Sequence, residues 1–480
     1  MDTKQAIEAL KQALPSAIIA SPGTTEYDAV RGQYQSASCA EIAPAAYVQP
    51  SSAEEVAIFV KTIKPFALSG AAPFAIVGLG QQPARYSSNI EAPGITLSLQ
   101  RLKGVLVKDG EVEVAGGENW GTVYDALVER GLGFSGGRSY RSGIGGLALA
   151  GGLSFVSSRE GFICDNVVNF EVVLASGEIV NANAKENSDL WVALRGGGNN
   201  LGIVTRFDFR TFEQGNIWGG TLYYFGDSFP GQCEALANEL NKPDASKETH
   251  LMVSMGFAAM FGPQIMCLNQ VYDTQGIEKS PVLQPFFDIQ PQIDQMNTLR
   301  THTLADAARE QAGDRPDPKR SNYMNTTVKA DAETLKAAAK IYQDAIEPLK
   351  SSEGVLLSFT LQPYPATLLQ KSATEGGNVL GLGPELGSLV SILFLTFWEK
   401  KEDDEKILST LRAALAAIDR NAESRKTLVP FKYLNYADTV QDPIGSYGST
   451  NINKLQDASH KYDAEGLFQK GVPGGWKLFA

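Results

Sequence analysis

The chain has 480 residues, 43% hydrophobic and 20% charged, an ordinary composition for a folded globular protein and long enough to build two large cores. Its 42 Lys and Arg against 54 Asp and Glu give a net charge of −12 with no basic run, which excludes a nucleic-acid footprint. Four cysteines without C-x-x-C spacing and three histidines without an i, i+4 pair point to buried thiols and to no metal centre.

The N-terminus carries no basic segment followed by an apolar run, so no signal peptide is predicted. No stretch reaches the roughly 18 apolar residues of a membrane span, and a cytoplasmic protein with no membrane partner is expected. Ile7, Leu10 and Leu14 predict an amphipathic helix over residues 2–15, ended by Pro15. Ser51 or Ser52 is a candidate N-cap for a helix starting at Ala53. Phe74–Val77 is a short apolar run entering the turn Gly78-Leu79-Gly80, and Ile95–Leu99 alternates as a half-buried strand would. Val105–Val107 and Val112–Val114 flank Asp109-Gly110, a hairpin signal. A helix is predicted from Trp120 to Arg130, stopped by Gly131.

A glycine-studded stretch runs from Gly133 to Gly161, followed by a second hairpin, Phe170–Leu174 and Ile179–Ala182 around Ser176-Gly177. Ser188 opens a helix, and Ile203–Phe209 alternates as a strand. From about Gly219 to Leu428, strands such as Leu251–Phe257 and Val355–Leu361 alternate with helices such as Ala330–Leu349 and Asp403–Ile418. That pattern predicts an antiparallel sheet covered by helices, hence an α+β fold. The charged stretch Arg309–Arg320 reads as a solvated loop. One glycosylation sequon, Asn325-Thr326-Thr327, is no more than chance supplies.

Three glycine clusters carry the chemistry: Gly78-Leu79-Gly80; Gly136-Gly137 through Gly143-Ile144-Gly145-Gly146 to Gly151-Gly152; and Gly196-Gly197-Gly198 to Gly202. Glycine leaves no Cβ between backbone N–H groups and a ligand, and successive N–H groups form concavities suited to a pyrophosphate. Three clusters within 130 residues predict a large diphosphate-bearing ligand. Gly143–Ala148 also matches G-x-G-x-x-A, but no buried strand precedes it and no βαβ unit surrounds it, so a Rossmann site is not expected.

The run Gly136-Gly137-Arg138, Gly143–Gly146, Gly151-Gly152-Leu153-Ser154 and Gly161–Val168 resembles the FAD-binding domain of the vanillyl-alcohol-oxidase / p-cresol-methylhydroxylase superfamily. So does the continuation Leu174–Gly177 and Asp189–Thr205. Tyr433–Asp438, Gly445–Gly448 and Lys461–Phe468 are similar to the berberine-bridge-enzyme-like branch, in its fungal style. The resemblance implies an FAD-binding domain over residues 1–212, a substrate-binding domain over 213–428, and a segment, 429–480, returning to the first. It implies FAD as cofactor, contacted by Gly78, Leu79, Gly80 and Gln81, by Ser139, Ser142, Gly143, Gly145, Gly146, Gly151 and Gly152, and by Asn199, Gly202, Ile203 and Val204. In the family the first cluster reads R-G-G-G-H, and its histidine bonds to the flavin. Here Val77 and Gln81 stand in place of the arginine and histidine, and Ser139 in place of a second, cysteinyl link. Amides and unactivated hydroxyls are not nucleophiles of imidazole or thiolate strength, so noncovalent FAD is expected.

The catalytic candidates are Tyr433, Asn435, Tyr436 and Gln362. On an extended strand Phe431, Tyr433 and Asn435 share one face and Leu434 and Tyr436 the other, so Tyr433 is expected beside the flavin with Asn435 aligned, or else packed with its hydroxyl satisfied. Gln362 faces either the substrate or solvent at a strand end. The reading is an FAD-dependent oxidase of a small organic, secondary-metabolite substrate, with oxygen as second partner. A redox-neutral isomerase or cyclase with structural or lost FAD is the alternative. A noncatalytic binding protein is a third, disfavoured because Tyr433-x-Asn435-Tyr436 is present.

Overall fold

The structure is a computed structural model in which residues 1–313 and 319–479 are described. Three sheets organise it. The first has four strands in the order Ile18–Ala20, Ala46–Gln49, Ile95–Ser98 and Phe74–Val77. Ile95–Ser98 runs parallel to both neighbours and is buried at all four residues, not half-buried as its alternation suggested. Parallel strands covered on both faces bury their polar positions too, here Thr96 and Ser98. Helix Thr3–Ala13, closed at its start by an Asp2–Gln5 capping box, and helix Ala53–Leu68, capped by Ser52, bury Leu10, Val56 and Phe59 in one core with Ile95 and Leu97.

The second sheet is antiparallel, in the order Val105–Val107, Glu111–Ala115, Ile203–Glu213, Val167–Val173 and Ile179–Asn183. Its two hairpins turn at Gly110 (φ +73°) and Gly177 (φ +75°), a left-handed backbone that glycine adopts freely. The third sheet has eight antiparallel strands, ordered Arg300–His302, Ile217–Phe225, Met266–Asp273, Thr249–Ala258, Leu356–Tyr364, Leu389–Trp398, Arg320–Lys329 and Leu428–Val429. Side chains alternate between its faces. Val253, Phe359, Leu361, Ile392 and Phe394 point to helices Phe229–Leu240, Ala332–Ile346 and Asp404–Ser424 and share their core.

The charged stretch Arg309–Arg320 is not a solvated loop where it is described. Helix Leu304–Ala312 takes in its first four residues, and Arg320 opens a strand. Arg320 is buried, bonded to both carboxylate oxygens of Asp404 at 2.6 Å and also to Glu41. Residues 314–318 lie outside the described residues. All four cysteines are free and buried. Among the described residues no helix is long and apolar enough to cross a membrane.

Candidate cofactor and substrate cleft

A cleft of about 530 Å³ separates the glycine-rich turns from the uncovered face of the eight-stranded sheet. One wall comes from Gly78–Gln82, from Ser139, Ser142, Gly143, Gly145 and Gly146, and from Asn199, Gly202, Ile203 and Val204. The opposite wall comes from Met252, Tyr323, Thr360, Gln362, Leu393, Leu395 and Phe397, the sheet residues alternate to those facing the helices. Leu434, Asn435 and Tyr436 close one end.

The turns fit a dinucleotide on their own geometry. Neither Gly78 nor Gly146 has φ in the left-handed region, and a Cβ built on either meets nothing within 4 Å. Neither backbone strain nor packing therefore demands glycine there. What glycine provides is open space beside backbone N–H groups, the requirement of a phosphate cradle. Gly151 and Gly152 behave differently and do not line the cleft. They have φ +99° and +86°, and a Cβ on Gly152 would stand 2.7 Å from Ile163 Cβ. They make a tight turn in the core, so these two expected cofactor contacts are corrected to structural ones.

The C-terminal segment is tied to every part of this wall. Gln82 Nε2 donates to the carbonyls of Leu434 and Asn435, each at 3.3 Å. Asn435 Nδ2 donates to Ala150 O at 3.1 Å, and Asn200 Nδ2 to Trp476 O at 2.9 Å. The extended strand expected at residues 431–436 is not formed: Leu434–Tyr436 is a 3₁₀ turn. The turn brings the Tyr433 and Tyr436 rings together, centroids 4.8 Å apart at 85°. It also sends them to different places. Tyr433 is fully buried and outside the cleft lining, its hydroxyl accepting from Gly152 N at 2.8 Å and Asn435 Nδ2 at 3.0 Å. Burial drives its pKa well above the ordinary tyrosine value, reinforced by the neighbouring tyrosines, the reverse of what a base needs. Tyr433 is a pin between the C-terminal segment and the Gly151-Gly152 turn.

Tyr436, Gln362 and Asn435 do line the cleft, and the first two meet a residue the candidate set lacked. Arg138 Nη2 donates to Gln362 Oε1 at 2.6 Å and to Tyr436 Oη at 3.0 Å, and Tyr436 Oη donates to Gln362 Oε1 at 3.1 Å. Arg138 Nη1 lies 3.7 Å from Met252 Sδ. The only sequence signal for Arg138 was a cation set between glycines and Ser139. The sheet residues Met252, Tyr323, Leu393, Leu395 and Phe397 were missed because an apolar strand does not reveal which of its faces is covered. Of the candidates for covalent attachment, Gln81 donates its amide to Gln35, and Ser139 lies on the glycine-rich wall. None of the three histidines and four cysteines of the chain lines the cleft.

Comparison with known proteins agrees with this architecture. Residues 44–183 match a family model described as an FAD binding domain. An FAD-dependent monooxygenase of Fusarium proliferatum is 34% identical over 449 residues, 91% of this chain and 85% of that protein. The chain belongs to the family of fungal FAD-dependent monooxygenases that carry this FAD binding domain. This flavoprotein is also 31% identical to a bifunctional solanapyrone synthase of Alternaria solani, over 91% of this chain and 82% of that one. Its fold superposes on a glucooligosaccharide oxidase of Acremonium strictum with a TM-score of 0.79, 21% identity and 99% of both chains covered. A 6-hydroxy-D-nicotine oxidase of Arthrobacter nicotinovorans gives 0.76 at 19% identity, covering 94% of this chain and 96% of that one. At such identities the likeness carries the fold alone. The family binds FAD, and the flavoprotein is an FAD-binding oxidoreductase of mixed α+β fold.

Proposed function

We propose that the chain is an oxygen-using oxidase of a small organic secondary metabolite, and that it holds FAD without a covalent bond. The observation that carries the second part is chemical. The Acremonium strictum oxidase has a 6-S-cysteinyl, 8α-N1-histidyl FAD. Here no imidazole or thiol lines the cleft, and Gln81 and Ser139 occupy the positions that the family resemblance assigns to attachment. In this reading residues 1–212 and 429–480 form the FAD-binding domain and residues 213–428 the substrate-binding domain. The separate core of the eight-stranded sheet and its helices supports that division.

When bound, FAD supplies the redox chemistry, taking up a hydride and passing electrons to oxygen. The chain's residues supply orientation and proton handling. Gly78, Gly80, Gly143 and Gly146 present backbone to the diphosphate. Gln362 faces the substrate from the sheet wall and Tyr436 from the end closed by the C-terminal turn. Among the described residues lining the cleft there is no Asp, Glu, His, Lys or Cys; of its two tyrosines, burial pushes the Tyr323 pKa up, and Tyr436, hydrogen-bonded to both Arg138 and Gln362, is the proton-handling group. Tyr433 and Asn435 position the turn that carries it.

Acid precipitation of the purified holoprotein, with intact-mass measurement, tests the reading. Yellow FAD released to the supernatant and a polypeptide of unmodified mass are expected. A flavin adduct at Gln81 or Ser139 would sink the noncovalent assignment. Turnover with neither oxygen uptake nor peroxide would place the chain with redox-neutral isomerases or cyclases.

A further inference from the structure

Arg138 is the one charged side chain among the described residues lining the cleft. It is 8% exposed, and its guanidinium is met by a thioether, an amide and a phenol: Met252, Gln362 and Tyr436. No carboxylate pairs with it among the described residues. Elsewhere in this protein buried arginines are compensated in other ways: Arg320 by Asp404 and Glu41, and Arg195, without an ion pair among the described residues, by the carbonyls of Val167, Glu375 and Gly377 and the face of Trp191. Arg138 lacks such a shell: Nη2 takes both side-chain oxygens, Nη1 meets only a thioether among the described residues, and the adjoining cleft leaves room for a ligand to supply the counter-charge. The contacts fix where that ligand sits. Met252 and Gln362 belong to the sheet wall, opposite Gly78 and Gly146, so Arg138 serves the substrate side and not the phosphate cradle.

We infer that Arg138 is an anion anchor, and that the substrate carries an anionic oxygen, a carboxylate or an ionised enol or phenol, on an apolar body. Guanidinium N–H groups match such oxygens in charge and geometry. Leu393, Leu395 and Phe397 give the body its apolar wall. Gln362 and Tyr436 both engage Nη2 and hold the guanidinium in place, which leaves Nη1, met only by the Met252 thioether, to the anion. This inference rests on the oxidase reading for the word substrate, but its test does not need turnover.

The holoprotein is titrated calorimetrically with benzoate, 4-nitrophenolate and neutral benzamide, and its FAD content is measured in the same preparation. An anion is expected to bind at least ~30-fold tighter than benzamide, the lower end of what a buried charge partner contributes. Preference for benzoate assigns a carboxylate, and preference for 4-nitrophenolate an ionised enol or phenol. Arg138→Met should erase the preference while benzamide affinity and FAD content hold, and Arg138→Lys should keep part of it. Equal affinity for anions and benzamide in the parent protein overturns the inference without recourse to any variant. So does an Arg138→Met protein that keeps the preference, or one that loses FAD and benzamide alike. A preparation without FAD would overturn the oxidase reading and leave the anion preference to be judged separately.

Discussion

Gly78 and Gly152 look alike in the sequence and do opposite work. A side chain at Gly78 would enter open cleft, whereas one at Gly152 would collide with Ile163 on a backbone of φ +86°. Gly78→Val is therefore expected to weaken FAD affinity by about tenfold or more at unchanged apoprotein stability, read by flavin titration and thermal melting. Gly152→Ala should destabilise the fold by about 1–3 kcal/mol in a denaturant titration. The two tyrosines divide in the same way. Tyr433→Phe leaves Gly152 N–H without its acceptor and takes one of its acceptors from the Asn435 amide, and about 1–3 kcal/mol of stability should go with it while the pH–rate profile keeps its shape. Tyr436→Phe should instead lower kcat by about 10²-fold or more at parental stability. If Tyr433→Phe is the variant that abolishes turnover in a fully folded protein, the assignment of these roles is wrong.

Three rings form a row across the eight-stranded sheet, His250 and Tyr272 on adjacent strands and His302 one strand further, beyond Ile217–Phe225. His250 lies across from Tyr272, with centroids 5.9 Å apart, and Tyr272 is 5.6 Å from His302. Burial, aided by the charge of Arg138, pushes the His250 pKa well below its ordinary value. Burial, aided by Arg300, lowers that of His302. Each therefore takes up its proton at lower pH in the fold than in the unfolded chain, where histidine protonates below about pH 6.5. The unfolded state then binds more protons, so stability must fall as pH drops through that window, by up to ~1.4 kcal/mol per pH unit for each histidine. Urea titrations at pH 7, 6 and 5 should show that slope in the parent and a shallower one in His250→Gln. Equal slopes would mean that the ring stack takes no part in acid sensitivity.

Across the whole molecule, the cleft exists because the C-terminal segment is clamped to the eight-stranded sheet on one side and to the glycine turns on the other. Asn325, fully buried despite lying in a glycosylation sequon, makes the first clamp. Its Nδ2 donates to Tyr433 O at 3.0 Å, and Tyr433 N donates to its Oδ1 at 2.8 Å. Asp438, buried, adds a bidentate pair with Arg412 at 2.6 and 3.1 Å. Asn325→Ala should lower stability by about 2 kcal/mol, since two backbone groups lose their partners. It should also loosen FAD retention on gel filtration, because the 433–436 turn then loses its anchor. Retention equal to the parent's would show that the glycine turns hold the cofactor unaided.

The sequence by itself determined the cofactor wall. Glycine turns, helix caps and the two hairpins are local patterns settled within a few residues, and they singled out Gly78, Gly143, Gly146 and Asn199, which line the cleft. Only the tertiary structure decided the substrate wall. Arg138 meets Gln362 and Tyr436 across separations of 224 and 298 residues, which no local pattern records. Alternation in a strand divides its side chains between two faces, but packing chooses which face the helices cover. The same applies to Tyr433 and Tyr436: an extended segment would set them by period two, and a single 3₁₀ turn sent one into the core and the other into the cleft.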